Sequence, residues 1–267
     1  MGIIKNIFIT LILFSLNIFA YFEYWFEMGQ SATDSNKKIE YYTNAIKNWR
    51  TYDGEENLSL AYLKRAEVYY EQKDLQKSTE DLNQAIKYNP KLIEAYFLRG
   101  KIYLETKQYD LAVADLQQVI KLDEYDEFHK SNGGITYFYL AKCYFEKGQQ
   151  KESLETIKKS LEFNRSNYEY FFLKAQIYEQ IGEPEIALED YTTSLSLNPK
   201  NIEAYLKRAK LYISKNDKEQ ALKDLTEAIK LDENRLDIYI LRAEINFSNK
   251  KYVDVVKDLS KVIEAGK

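Results

Sequence analysis

Apolar and polar residues follow a helical rhythm along this chain, and the rhythm is itself repeated. In residues 202–233, IEAYLKRAKLYISKNDKEQALKDLTEAIKLDE, apolar side chains return every three or four positions along two stretches separated by a polar break. That spacing puts them on one face of each of two helices, and the break predicts a turn between them. The pattern starts at about residues 59, 93, 134, 168, 202 and 236, in steps of 34, 41, 34, 34 and 34. The letters AYLKRA occur at 61–66 and again at 204–209. A fixed period of this length marks a repeat architecture. A shorter pattern at 34–48, with Ile39, Tyr42, Ala45 and Ile46 on one face, reads as the second half of a degenerate first copy.

Counting positions from the start of each copy, the first helix carries an aromatic at position 4: Tyr62, Tyr96, Tyr137, Phe171, Tyr205 and Tyr239. A small residue follows at position 8: Ala66, Gly100, Ala141, Ala175, Ala209 and Ala243. Position 11 is Tyr69, Tyr103, Tyr144, Tyr178 and Tyr212, with Asn246 in the last copy. These positions share a face, and the small residue lets a second helix approach closely. The second helix presents small or apolar residues at positions 20, 24, 27 and 28, such as Ala221, Leu225, Ala228 and Ile229. Gly148, Gly182 and Asn216 stand where a left-handed residue would end the first helix. Pro90 and Pro199 mark the ends of second helices.

A 34-residue helix–turn–helix unit with this order of residues resembles the tetratricopeptide repeat, or TPR, over the chain from Ser59 onward. The resemblance implies an all-α fold, a right-handed superhelix of about six full repeats plus a degenerate half-repeat, preceded by a hydrophobic helix. The expected organisation is a signal peptide or membrane anchor at 1–31, a degenerate repeat and connection at 32–58, and the solenoid at 59–267. One departure from the family pattern stands out. Position 7, usually Leu, is Arg65, Arg99, Lys174, Arg208 and Arg242, with Leu140 in the third copy alone. Position 23 is Asp81, Asp115, Asp190, Asp224 and Asp258, with Thr156 in that same third copy. The copy that lacks the cation lacks the acid, so the two are expected to pair across the hairpin.

The resemblance also implies a binding groove lined by positions 2, 5, 9, 12 and 13 of the first helices. On that basis the candidate partner-binding residues are Leu63, Tyr70, Phe97, Lys101, Leu104, Phe138, Lys142, Phe145, Phe172, Leu206, Lys210 and Ile213. Such a floor is apolar and aromatic with a basic middle, and Glu94, Glu169, Glu203 and Asp237 stand at its rim. It suits an extended peptide or an amphipathic helix with apolar anchors. The competing reading is that these side chains pack between neighbouring helices. The lysine and asparagine clamp by which some TPR proteins hold chaperone carboxyl termini is absent, because position 5 is apolar throughout and position 9 is never Asn. The seven-residue insertion within residues 123–134, DEYDEFHKSNGG, reads either as a plain surface loop or as a flap carrying Tyr125 and Phe128 beside the groove.

Composition narrows the chemistry. Nine Gly and three Pro in 267 residues suit long helices with short connections rather than a β fold. The net charge is -4 with Lys and Glu interspersed, which gives nucleic acid no basic stripe to bind. One cysteine excludes an internal disulfide framework, and Cys143 falls where other copies have Val68, Ile102, Ile177, Leu211 and Ile245, so it reads as core. His129 is the only histidine, and no nucleotide-binding, zinc or nucleophile motif occurs. The expectation is therefore a protein that is not an enzyme, needs no cofactor and no metal, and binds a protein or peptide.

Residues 3–22, IIKNIFITLILFSLNIFAYF, are apolar after a single Lys5. They read as a signal peptide cut soon after Ala20, or as an uncleaved membrane helix, since about 20 apolar residues span a bilayer. Either reading exports the repeats to a periplasmic, lumenal or extracellular space, or tethers them to a membrane. The sequence stops at Lys267, directly after a second helix, so the apolar edge there is expected to be tolerated, covered by a partner, or paired with a second copy in a homo-oligomer.

Overall fold

The structure is a computed structural model that describes residues 21–265. Every regular element among them is a helix. The described part of the first helix, α1, runs to residue 31. It is followed by α2 (Ser35–Asn48), a 3-10 turn (Thr51–Asp53), α3 (Glu55–Glu71), α4 (Leu75–Tyr88), α5 (Ile93–Glu105), α6 (Tyr109–Leu122) and α7 (Glu127–Ser131). Then come α8 (Ile135–Glu146), α9 (Gln150–Phe163), α10 (Tyr168–Ile181), α11 (Pro184–Leu197), α12 (Ile202–Ser214), α13 (Lys218–Leu231), α14 (Leu236–Ser248) and α15 (Tyr252–Ala265). The chain divides into two compact units, one up to Asn132 and one from Gly133. Among the described residues each is a run of stacked helical hairpins, to which the first adds the 3-10 turn and α7.

The hairpin turns have one chemistry. Position 15 is left-handed in all six copies: Lys73, Lys107, Gly148, Gly182, Asn216 and Lys250, with φ between 59° and 89°. The next residue's N–H reaches back to the carbonyl of position 11, as Asp217 does to Tyr212 at 2.8 Å and Glu183 to Tyr178 at 2.9 Å. Position 15 itself donates to position 12, as Asn216 does to Ile213 at 2.9 Å. These two bonds make a Schellman end, which satisfies the orphan carbonyls of the first helix. Gly148, Gly182 and Asn216 announced it in the sequence. The three lysines did not, because the tertiary stack holds them in a conformation that their side chains disfavour.

Small residues then bring the helices together. Ala66, Ala141, Ala175 and Ala209 are fully buried, and the Ser78 and Ser153 hydroxyls donate to the Ala66 and Ala141 carbonyls at 2.8 and 2.7 Å. A Cβ on Gly100 would lie 3.0 Å from Leu116 Cγ, so the two helices of that hairpin approach closely there. Cys143 is fully buried, and burial pushes its thiol up to about 12, which keeps it protonated and inert.

The expected pair between positions 7 and 23 forms wherever both residues occur. Arg65–Asp81, Arg99–Asp115, Arg208–Asp224 and Arg242–Asp258 are bidentate forks with bonds of 2.6–2.9 Å. In the third copy Leu140 and Thr156 take their places, both buried. The structure adds a third partner. The remaining guanidinium nitrogen reaches the second helix of the preceding hairpin, at Thr43, Asn83, Thr192 and Thr226. A tyrosine at position 4 lies beside each of these guanidinium groups, and for Arg65 and Arg99 the tyrosine at position 11 does too, with Tyr62 and Tyr69 centred 5.7 and 5.9 Å from Arg65 Cζ. Lys174 makes one bond to Asp190 at 2.8 Å, and Asp190 Oδ2 has no partner. At the place of the accepting Thr or Asn the preceding copy carries Lys158, so a third donor there would find no acceptor. Burial raises the Asp81 and Asp190 carboxyls above their ordinary range, offset only in part by Arg65 and Lys174.

Within the stretch expected as leader or anchor, residues 21–31 pack on α2: Phe22 is buried with Ala45 and Ala61, and Trp25 and Phe26 pack against them. Gly29 lies so close to the Tyr42 ring that an added Cβ would sit 2.5 Å away. The apolar segment 3–22 lies outside the described residues apart from Tyr21 and Phe22. Among the described residues no helix is long and apolar enough to cross a membrane.

The insertion is held by one buried side chain. Asp123 accepts the backbone N–H groups of Phe128 and His129 at 3.1 and 2.9 Å and bonds the His129 ring, capping α7 from the end of α6. Burial alone would raise this carboxyl, but the N–H bonds of His129 and Phe128 and the ring outweigh it and hold it below the usual value near 3.8.

Three outcomes follow. In urea denaturation, Arg208→Ala costs about 3–5 kcal/mol because it strands a buried carboxylate, whereas Arg208→Leu with Asp224→Thr, the third copy's residues, costs less than either single change. Lys107→Gly raises stability by about 0.5–1 kcal/mol by removing left-handed strain, and Gly182→Ala lowers it by a similar amount. A depressed carboxyl stabilises fully above its unfolded pKa and loses that contribution as pH falls through the folded one. Amide exchange across α7 therefore loses protection as pH drops below 3.8, and Asp123→Asn removes that dependence.

Candidate partner-binding surface

The first helices place positions 5, 9 and 12 on one face, and the structure sorts the twelve candidate residues into three groups. Leu63, Leu104, Phe138 and Leu206 are buried. Leu63 joins a core with Leu82 and Leu92, Phe138 stacks on Tyr170 at 5.1 Å, and Leu206 packs with Leu225 and Ile238. For these the inter-helix packing reading holds. Tyr70, Phe97, Lys101, Phe145, Phe172 and Ile213 are half-buried, and Lys142 and Lys210 are exposed.

In the first unit the face is already occupied by its own chain. Lys101 Nζ lies 5.1 Å from the Tyr70 ring and 5.8 Å from the Phe97 ring, and the Tyr70 hydroxyl bonds Glu105. Burial lowers the Lys101 ammonium, partly offset by Glu105. Phe128 from the insertion meets Phe97 edge-on at 5.4 Å. The insertion is therefore packed beside the face, as the flap reading had it, with Tyr125 left 72% exposed. A recess between α5 and the insertion is lined by Ile93, Glu94, Leu122, Tyr125 and Phe128 among others. Sequence spacing left open whether Phe128 would reach the groove, because nothing in a unique loop sets its direction.

The insertion also brings single ligand atoms of Asp123, Asp126 and His129 within 4.8 Å of one another. Asp123 is taken up by two N–H groups and the imidazole, and Asp126 is exposed. The Asp123 bonds cap a helix.

In the second unit the face is open. A recess on α12 and α14 is lined by Leu206, Lys210, Asp237, Ile240, Leu241 and Glu244. Ile240, at position 5 of the last copy, is 42% exposed where the equivalent residues of other copies are buried or half-buried, and Phe247 at position 12 is 63% exposed. Arg235 ties the rim acids, bonding Glu203 at 2.9 Å and Asp237 at 2.7 Å. Further back, Phe172 packs on Tyr191 at 5.7 Å, and the Tyr191 hydroxyl donates to Glu179 at 2.8 Å. Burial raises that hydroxyl, and the Glu179 charge raises it further. Charges here sit on apolar ground in opposite pairs.

Comparisons with known proteins agree with this geometry. Models of the tetratricopeptide repeat match residues 93–126, 136–167, 168–201 and 202–235, and a TPR repeat model matches 66–107. No curated relative matches the sequence. Among solved structures, a tetratricopeptide repeat protein from Parabacteroides merdae is similar with a TM-score of 0.67 at 16% identity, over 92% of this chain and 93% of that one. YrrB, described as a TPR protein with an unusual peptide-binding site, aligns with a TM-score of 0.58 at 18% identity, over 80% and 99%. PilF of Pseudomonas aeruginosa aligns at 0.64 and 13% identity, over 76% and 90%. At such identities the structures attest the fold, while the repeat models cover more than half of the sequence: the chain belongs to the tetratricopeptide repeat family.

Proposed function

We propose that this protein is a non-enzymatic scaffold that binds a protein or peptide on the first-helix face of its second unit, and that it works exported or membrane-tethered. The observation that carries the reading is the open recess on α12 and α14, where Ile240 stays exposed between Lys210 and Glu244. An apolar anchor with one charge of each sign beside it suits a peptide that inserts a large apolar side chain and lays polar neighbours along the rim. Peptide binding by YrrB, a protein of the same fold, supports the class of partner but not its sequence. Export rests on the apolar segment at residues 3–22.

Display of random peptides against the full chain should enrich sequences with large apolar anchors. Ile240→Ser and Lys210→Glu should each weaken the selected peptides by about tenfold, the loss of one anchor contact. An absence of enrichment, or binding indifferent to both changes, would count against the surface. Amino-terminal sequencing of the mature protein should begin at Tyr21 if the leader is cut, and at Met1 in a membrane fraction if it anchors the chain.

A further inference from the structure

The last copy departs from its sisters at one interior position. Position 11 is a half-buried tyrosine in five copies, Tyr69, Tyr103, Tyr144, Tyr178 and Tyr212, and Asn246 in the sixth. Three of those rings lie against the cation at position 7, centred 5.9 Å from Arg65 Cζ, 5.8 Å from Arg99 Cζ and 5.6 Å from Lys174 Nζ. At Asn246 there is instead an open recess of about 270 Å³ bounded by α13, α14 and α15. Arg242 and Asn246 line it, and the exposed Lys251, Asp254 and Lys257 stand at its rim. Asn246 is 5% exposed, and no hydrogen bond among the described residues reaches its side-chain amide. A buried amide in that state points to a partner it has yet to meet. In the copy before, the matching wall is tied together by Arg208, Thr192 and Asp224, on α11, α12 and α13, without the hairpin that follows. The recess is therefore set by the junction of α13 with α14 and α15 and not by the end of the array.

We propose that this recess receives a tyrosine side chain from a protein partner. The Arg242 guanidinium selects a ring. Its three nitrogens already donate, two to Asp258 at 2.9 and 2.6 Å and one to Thr226 at 3.2 Å. It therefore offers an incoming group its flat face rather than a fork, and that face stacks on aromatic rings. Tyr239 lies beside it at 5.7 Å, as position 4 does in the other copies, and the partner's ring takes the place that Tyr69 and Tyr103 hold beside Arg65 and Arg99. The Asn246 amide selects the hydroxyl. A phenol entering from the rim brings its O–H inward, where the Asn246 carbonyl oxygen accepts it, whereas a phenylalanine ring leaves the amide bare. The rim carries charges of both signs, which suits the polar backbone of a peptide on either side of the tyrosine. The recess shares no residue with the one on α12 and α14, so it is a second contact beyond the binding proposed there.

Titration of the full chain with end-blocked Gly-Tyr-Gly and Gly-Phe-Gly peptides, followed by nuclear magnetic resonance of amide groups, tests this. The expected result is saturable shifts of the Asn246 side-chain amide and of the Lys251 and Asp254 backbone with the tyrosine peptide. The phenylalanine peptide should bind about tenfold more weakly, the loss of one hydrogen bond. Asn246→Tyr gives the last copy its sisters' residue, so it should stay folded and abolish binding of both peptides. Asn246→Ala keeps the recess open and should bring the tyrosine peptide down to the level of the phenylalanine peptide. Thermal melting checks that both variants fold. Absence of shifts at these residues overturns the proposal, as does equal binding of the two peptides or binding that survives Asn246→Tyr. Shifts at Asn246 that grow with protein concentration when no peptide is present would assign the ring to a second copy and overturn a separate partner.

Discussion

The ion pair between positions 7 and 23 is the contact on which the hairpin geometry turns. A hairpin of two amphipathic helices can slide and roll on its apolar face, since dispersion and hydrophobic burial have little direction. A bidentate fork between Arg and carboxylate has a defined plane and distance. Here it is flanked by tyrosines and tied by its last nitrogen to the preceding hairpin. One guanidinium thereby sets the helix-to-helix distance within a copy and the seat of that copy on its neighbour. Nearest-neighbour coupling of this sort is what makes a repeat array behave as one body rather than a string of hairpins.

Its cost is visible where the device is incomplete. Lys174 makes one bond to its acid where Arg208 makes two and reaches a third partner, and Asp190 is left with an oxygen that nothing satisfies. The third copy shows the other solution, with Leu140 and Thr156 filling the space and the Thr156 hydroxyl turned onto the Glu152 carbonyl. Apolar filling gives up direction and avoids desolvating a charge. The chain uses both solutions on one fold, so the pair serves to specify geometry rather than only to add stability.

The same logic separates scaffold from surface. Side chains that every copy shares are drawn into the stack, and this includes several at groove positions, such as Leu63 and Phe138. What distinguishes one region from another lies where copies depart from the pattern: the insertion that lays Phe128 on Phe97, the open Ile240, and Asn246 at a tyrosine position. Function in a repeat protein is best sought at such departures.

Period, helix pairs, the buried Cys143 and the Arg–Asp pairing were all legible in the sequence, because each is repeated and local spacing alone places it on a helix face. Three things were decided by tertiary structure. Residues 21–31 joined the first hairpin because Phe22 and Gly29 found Ala45 and Tyr42 to pack on, contacts that no period announces in a degenerate copy. Lysines took the left-handed turn at position 15 because closure of the hairpin outweighs their local preference. The division of groove positions into core and surface depended on the neighbour each one met. A spacing of residues names a face, but only packed neighbours decide whether that face is covered.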